Sequence, residues 1–197
     1  MKISPALLIL LESHRHTLPH LKNTSRFKHP GYKPKFDDLE LVYKTYYKGQ
    51  DLTKYSSECA VRLSIALSLN DFSFDRFEDK SRVKRGIQGR SAIAFVAGAE
   101  ELARYLKSEW GAPTFTFKKH GRDMAARVLS GKRGVVYFNN CCKRSKDGPG
   151  IKNGDHIDIW NGSKYYNKIM KIGAQSKHDD GSDLFKTSSS VWFWEIF

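Results

Sequence analysis

The sequence predicts an α+β fold in which helices come first and a small antiparallel sheet follows. Three observations carry that expectation. Apolar residues recur at helical spacing across residues 36–69 and again across 98–110, whereas short strand-like runs separated by turn residues fill the C-terminal half. The third is size: 197 residues without a compositional break suit one compact core, and 40% hydrophobic with 13% aromatic residues is ample material for it.

The elements follow in chain order. Lys2 precedes an apolar run from Ala6 to Leu11 that is too short for a secretory signal and is broken at once by Glu12, His14, Arg15 and His16. No stretch approaches bilayer length, so neither general secretion nor membrane insertion is expected. Residues 20–34 mix Asn23, Ser25, Pro30, Gly31 and Pro34 with lysines and read as a linker. The expected organisation is therefore an N-terminal extension over residues 1–34 and a folded domain over 35–197.

Phe36, Leu39, Leu41, Val42, Tyr46 and Tyr47 predict a first helix, closed by Gly49. Ser56-Ser57-Glu58-Cys59 predicts the start of a second, with Ala60, Val61, Leu63, Ile65, Ala66, Leu67 and Leu69 nearly encircling it and Asn70-Asp71 ending it. Residues 81–90, basic and glycine-punctuated, read as a loop. A third helix covers about residues 98–110 and stops at Gly111-Ala112-Pro113. Strands are expected over residues 114–117, 134–138, 156–160, 164–169 and 191–197, the last a core strand carrying Trp192, Phe193 and Trp194.

Charge limits the partners. Lys and Arg number 34 against 21 Asp and Glu, a net charge of +13 that favours acidic surfaces. Nucleic acid, anionic lipid, a carboxylate-bearing cell-wall polymer and an acidic inhibitor protein all satisfy it. The three cysteines, Cys59, Cys141 and Cys142, do not describe a disulfide framework, and neither a C-x-x-C spacing nor a histidine pair accompanies them. No metal and no cofactor are expected.

A thiolate nucleophile needs a lowered pKa, which the free amides and positive end of a helix provide. Cys59 occupies such a place. Asp155-His156-Ile157-Asp158-Ile159-Trp160 alternates as a strand, and Asn161-Gly162 signals a two-residue hairpin turn. Counting outward from that turn sets Asn167 across from His156, with Asp158 on the same strand face as the alternative orienting residue. An amide or carboxylate beside the imidazole is what a Cys-His pair uses to fix its base. Cys141 and Cys142 fall in a loop after a strand, as two reduced thiols or, in an oxidising compartment, as a strained vicinal disulfide.

Four ordered segments together resemble the fourth class of type VI secretion amidase effectors, which belong to the papain-like cysteine peptidases. They are Cys59-Ala60-Val61-Arg62-Leu63-Ser64, similar to that family's C-x-x-R-x-S helix start; Trp110-Gly111-Ala112-Pro113; Gly131-Lys132-Arg133-Gly134; and the run from His156 to Gly162, similar to its H-x-x-L/I-W-N-G hairpin. The resemblance implies a papain-like fold and hydrolysis of the D-glutamyl-meso-diaminopimelate amide of peptidoglycan stem peptides. It also implies type VI injection, from the cytoplasm of the producer into the periplasm of a neighbouring bacterium, and a cognate immunity protein as partner. Cys59 and His156 are carried over as nucleophile and base. The family's usual third residue is Asp where this sequence has Asn167. The backbone amide of Cys59 is then the oxyanion donor, with Ser57 or Ser56 as a second candidate.

Two other classes compete. A basic nucleic-acid-binding protein fits the charge but finds no recognised motif, and a papain-like protease or acyltransferase acting on host protein keeps the fold and changes the substrate.

Overall fold

The helical spacing that begins at Phe36 is realised as helix α1, Phe36–Tyr47, in the computed structural model, which describes residues 31–47, 58–79, 83–87, 90–118, 124–143, 147–165 and 182–197. These divide into two compact units, one up to Gly98 and one from Ala99. In the first, Asp37 and Asp38 in the opening turn of α1 and Lys44 in the last turn complement the helix dipole. Phe36, Leu39, Val42 and Tyr43 are buried, and α1 packs against α2, Glu58–Leu69.

Helix α2 is buried on every side from Cys59 to Leu67. Its end follows from Asn70-Asp71: Asp71 adopts φ 62°, and the Phe72 N–H donates to Leu67 O at 3.0 Å, the long return bond that closes a helix C-terminus. Residues 81–90, read as a loop, are in part a strand: β1, Val83–Ile87, pairs antiparallel with β2, Arg90–Val96, with an irregularity between Arg85 and Ile87. Scattered arginines and Gly86 hide the strand from a reading based on alternation. Two serines on α2 dock this hairpin. Ser64 Oγ accepts from Val96 N at 3.0 Å while donating to Ala60 O at 2.7 Å, and Ser68 Oγ donates to Ala94 O at 2.6 Å. One helical turn apart, they give the backbone of β2 polar partners inside an otherwise apolar interface.

The second unit opens with α3, Ala99–Trp110, whose Leu102, Ala103, Tyr105 and Leu106 are buried. Gly111, at φ 81°, supplies the left-handed residue that ends it, and its carbonyl accepts from Trp194 Nε1 at 3.1 Å. The sheet consists of β3, Phe115–Lys118; β4, Gly134–Cys142; β5, Gly154–Trp160; and β6, Ser190–Glu195, in the antiparallel order β3-β6-β4-β5. The C-terminal aromatic run is thus an interior strand, with Trp194 fully buried. Two short helices that the sequence reading did not foresee, α4 over Ala125–Val128 and α5 over Ser182–Thr187, contribute Ala125, Leu184 and Phe185 to a core with Val136, Phe138, Val191 and Phe193. Helix α3 packs on β4 and β5 as well. Strand alternation assigns Val136, Phe138, His156, Asp158 and Trp160 to one face of the sheet and Val135, Tyr137, Ile157 and Ile159 to the other. Both faces are buried, which is why residues 135–138 read as an unbroken apolar run.

The mixed helix and antiparallel-sheet composition agrees with the expected α+β class. Among the described residues no helix is long and apolar enough to cross a membrane.

Gly134 sits where β4 is flanked by β6, and a Cβ built there would lie 2.0 Å from Trp194 O. Gly134→Ala is therefore expected to destabilise the chain by about 3 kcal/mol. Gly148→Ala, where the nearest atom is Ile151 Cδ1 at 3.4 Å, should stay within about 0.5 kcal/mol. Urea unfolding midpoints test this, and equal midpoints for the two variants would contradict the close approach.

Candidate active site

Cys59 belongs to the first unit and lies in the opening turn of α2, 6% exposed. That turn carries amides not bonded within the helix and the positive end of its dipole, the setting in which a thiolate is favoured. Ser64, at the far end of the six-residue motif, holds α2 to β2, so the motif joins the cysteine at the helix start to the anchor that fixes its helix. Ser56 and Ser57 lie outside the described residues.

His156 belongs to the second unit, on β5, and is 5% exposed. Its Nε2 lies 3.3 Å from Oδ2 of Asp158, the alternative orienting residue, which is fully buried. The other Asp158 oxygen accepts from Ile159 N at 2.7 Å, fixing the carboxylate plane. With Nε2–H donating to the carboxylate, Nδ1 is the nitrogen able to accept a proton. Phe138, directly across the ladder, has its ring centroid 6.1 Å from the imidazole, and Tyr165 stands at 5.8 Å. These two rings also meet each other at 5.6 Å, so the imidazole is held in an aromatic corner. Neither ring was singled out from the sequence. Phe138 was legible as a strand residue, but its role depends on the β4–β5 register.

The predicted hairpin turn is corrected. Trp160 bridges to Tyr165 rather than to Ser163, so the turn spans four residues, 161–164. Asn161 Oδ1 accepts from Ser163 N at 3.1 Å and from Lys164 N at 3.0 Å, an Asx-type turn formed by the side chain. Gly162 O accepts from Gly131 N at 2.9 Å, which ties the turn to a segment distant in sequence. The pairing of His156 with Asn167, counted from a two-residue turn, no longer follows. Asn167 itself lies outside the described residues, as do residues 166–169 of the expected fourth strand.

Cys141 and Cys142 are the end of β4 rather than loop residues. Between the pairs Phe138↔His156 and Cys142↔Gly154, β4 contains three residues opposite one on β5. Asn140 there adopts φ 48°, and Asp155 Oδ1 receives Asn140 N at 2.8 Å and Asn139 Nδ2 at 3.2 Å. The two sulfur atoms stand 2.8 Å apart. A hydrogen bond from Cys141 lowers the Cys142 thiol to about 7, with the charges of His156 and Lys152 acting in the same direction against burial and Asp155. Cys142 thus has an activated thiol without a helix N-terminus, a route absent from the sequence reading. Tyr137, by contrast, is pushed up chiefly by burial and stays a neutral phenol. Its oxygen accepts from Asn139 Nδ2 at 3.1 Å.

Residues 55–194 match the family described as type VI secretion system (T6SS), amidase effector protein 4. Among solved structures, the Tae4–Tai4 effector–immunity complex from Enterobacter cloacae is similar with TM-score 0.56 at 12% identity, covering 84% of this chain and 100% of that one. Tae4 from Salmonella typhimurium, in complex with Tai4 from Enterobacter cloacae, gives 0.55 at 15% identity with the same coverage. Tae4 from Enterobacter cloacae gives 0.55 at 12% identity, covering 86% of this chain and 100% of that one. At such identities these structures share the fold. No curated protein matches the chain.

The lowered thiol gives a direct expectation. Alkylation of Cys142 by iodoacetamide, followed by peptide mass, should climb with pH and level off above about 7. In Cys141→Ala the donor is lost, and the plateau should move up toward the ordinary thiol range. An unchanged profile in that variant would show that Cys141 is not the cause.

Proposed function

The chain belongs to the type VI secretion system amidase effector protein 4 family, and from that premise we propose that it hydrolyses the D-glutamyl-meso-diaminopimelate amide of peptidoglycan after delivery into the periplasm of a target bacterium. The observation that carries the catalytic part is the pair His156–Asp158, a buried imidazole with Nε2 at 3.3 Å from a fully buried carboxylate. Cys59 is the nucleophile and His156 its base. Asp158 is the orienting residue, chosen over Asn167 because of that contact.

The chemistry follows from the groups named. His156 Nδ1 takes the Cys59 proton, and the thiolate attacks the carbonyl carbon of the amide. The oxyanion is received by the Cys59 backbone amide, with Ser57 or Ser56 as the second donor. When the carbon–nitrogen bond breaks, His156 returns the proton to the departing amine of diaminopimelate, leaving a thioester on Cys59. Water, deprotonated by His156, attacks the thioester; carboxylate is released and the thiol restored. Asp158 stabilises the imidazolium formed in each half-reaction and holds Nε2 as the donor nitrogen.

An immunity protein is the second partner. The solved Tae4–Tai4 complexes pair effector with immunity protein, and a net charge of +13 suits an acidic surface on such a protein.

Purified peptidoglycan digested by the chain should release fragments with a new D-glutamate carboxylate and a new diaminopimelate amine, identified by mass. Cys59→Ala should abolish their release, whereas retained activity would overturn the nucleophile. Asp158→Ala should lower kcat by roughly 10²–10⁴-fold with little change in KM. Asn167→Ala, compared in folded protein, should change it far less; the reverse ranking would make Asn167 the third residue.

Association with the cognate inhibitor should slow by about tenfold or more as salt is raised from low to high concentration. Equal association rates would exclude electrostatic steering.

A further inference from the structure

Adjacent side chains in a regular strand point to opposite faces, so two neighbouring cysteines should keep their sulfurs well apart. Here the irregular segment of β4 brings Cys141 Sγ and Cys142 Sγ to 2.8 Å. Several interactions fix that segment. Asp155 binds the backbone of Asn140 and the side chain of Asn139; Ser189 N donates to Asn139 O at 2.8 Å; and Thr187 Oγ1 donates to Cys141 O at 3.3 Å. Cys142 is also seated against Gly154, where an added Cβ would lie 2.7 Å from Cys142 O. Cys141 is 4% exposed and Cys142 only partly buried, so one thiol is reachable and the other stands behind it.

We propose that Cys141 and Cys142 form an oxidation site, in which Cys142 attacks an external disulfide and Cys141 resolves the product to a vicinal disulfide. The oxidant is a disulfide, of low molecular weight or on a protein. Cys142 thiolate attacks one sulfur, forming a mixed disulfide and expelling the first thiolate. Cys141 then loses its proton and attacks the Cys142 sulfur, forming the Cys141–Cys142 bond and expelling the second. The chain loses two electrons and two protons, and the external disulfide becomes two thiols.

The lowered thiol of Cys142 supplies the attacking thiolate near neutral pH. Partial exposure beside a resolving cysteine is the arrangement of redox-sensitive thiols. Consecutive α-carbons lie closer than ordinary disulfide geometry prefers, so the bond is a labile one, formed under oxidising conditions and reopened by thiols. The site begins three residues after Phe138, the cross-strand partner of His156, on the same strand. Its closure removes a thiolate whose charge interacts with His156. The exchange chemistry stands without the hydrolase reading; only the compartment in which it would occur rests on that reading.

The test uses the full chain with Cys59→Ser, which leaves this pair as its only thiols. After incubation with oxidised glutathione and acid quenching, intact mass should fall by two hydrogens with no glutathione retained. The peptide holding both cysteines should resist iodoacetamide until reduced. Adding Cys141→Ser should instead trap glutathione on Cys142, and adding Cys142→Ser should slow the reaction by roughly tenfold. Far-UV circular dichroism establishes that each variant is folded. Phenylarsine oxide, which needs two neighbouring thiols, should bind the Cys59→Ser chain in equal stoichiometry. A stable glutathione adduct while Cys141 is present, full alkylation of both thiols after oxidation, or failure to bind the arsenical would each overturn the proposal.

Discussion

Backbone approaching backbone with little or no room for a side chain is the constraint on which the second unit depends. A Cβ at Gly134 would meet Trp194 O, one at Gly154 would meet Cys142 O, and one at Gly162, which is at φ 98°, would lie 3.2 Å from Gly131 Cα. Gly154 opens β5 and Gly162 follows its end, so the strand bearing His156 and Asp158 is pinned at both extremities. Pinning matters because the side-chain period of a strand is two: a slip of one residue would turn His156 away from Phe138 and set Ile157 in its place. Two sequence segments that look independent, Gly131 to Gly134 and Trp160 to Gly162, are therefore one device. Trp160 Nε1, donating to Leu129 O at 2.8 Å, adds a directional bond to the steric one.

The first unit answers a different difficulty. Helix α2 is apolar nearly all round and buried from Cys59 to Leu67, and it lies against a sheet that has two strands among the described residues. Ser64 and Ser68 satisfy part of the sheet's backbone from within the helix, an arrangement that directs and does not merely glue, since hydroxyls bond only in register. Cys59 gains its orientation from a helix fixed in this way.

Legibility in the sequence tracked the range of the interaction. The three long helices were readable because caps, periodicity and stop residues act within a few positions: Asn70-Asp71 and Gly111 end their helices as expected. The central strands were readable from their apolar runs, and the place of Cys59 at a helix start and of His156 on a strand from motif and local setting. The β1–β2 hairpin was not, because its arginines and glycine break the alternation that marks a strand. The hairpin after Trp160 was misjudged because Asn161 uses its side chain as a turn acceptor and Gly162 is engaged by Gly131, a partner no local reading supplies. For the same reason the aromatic corner around His156 and the contact between neighbouring sulfurs were invisible: each is a product of register and of one irregular segment.

The positions of His156 and Asp158, two residues apart on one strand, also bear on how such a site survives sequence drift. Their spacing is set by the pleat of a single chain segment, not by the docking of two elements whose packing must be preserved together. Neighbouring core residues can be exchanged, helices can shift, and loops can lengthen, while imidazole and carboxylate travel as one body. A pair constructed in this way is insulated from divergence.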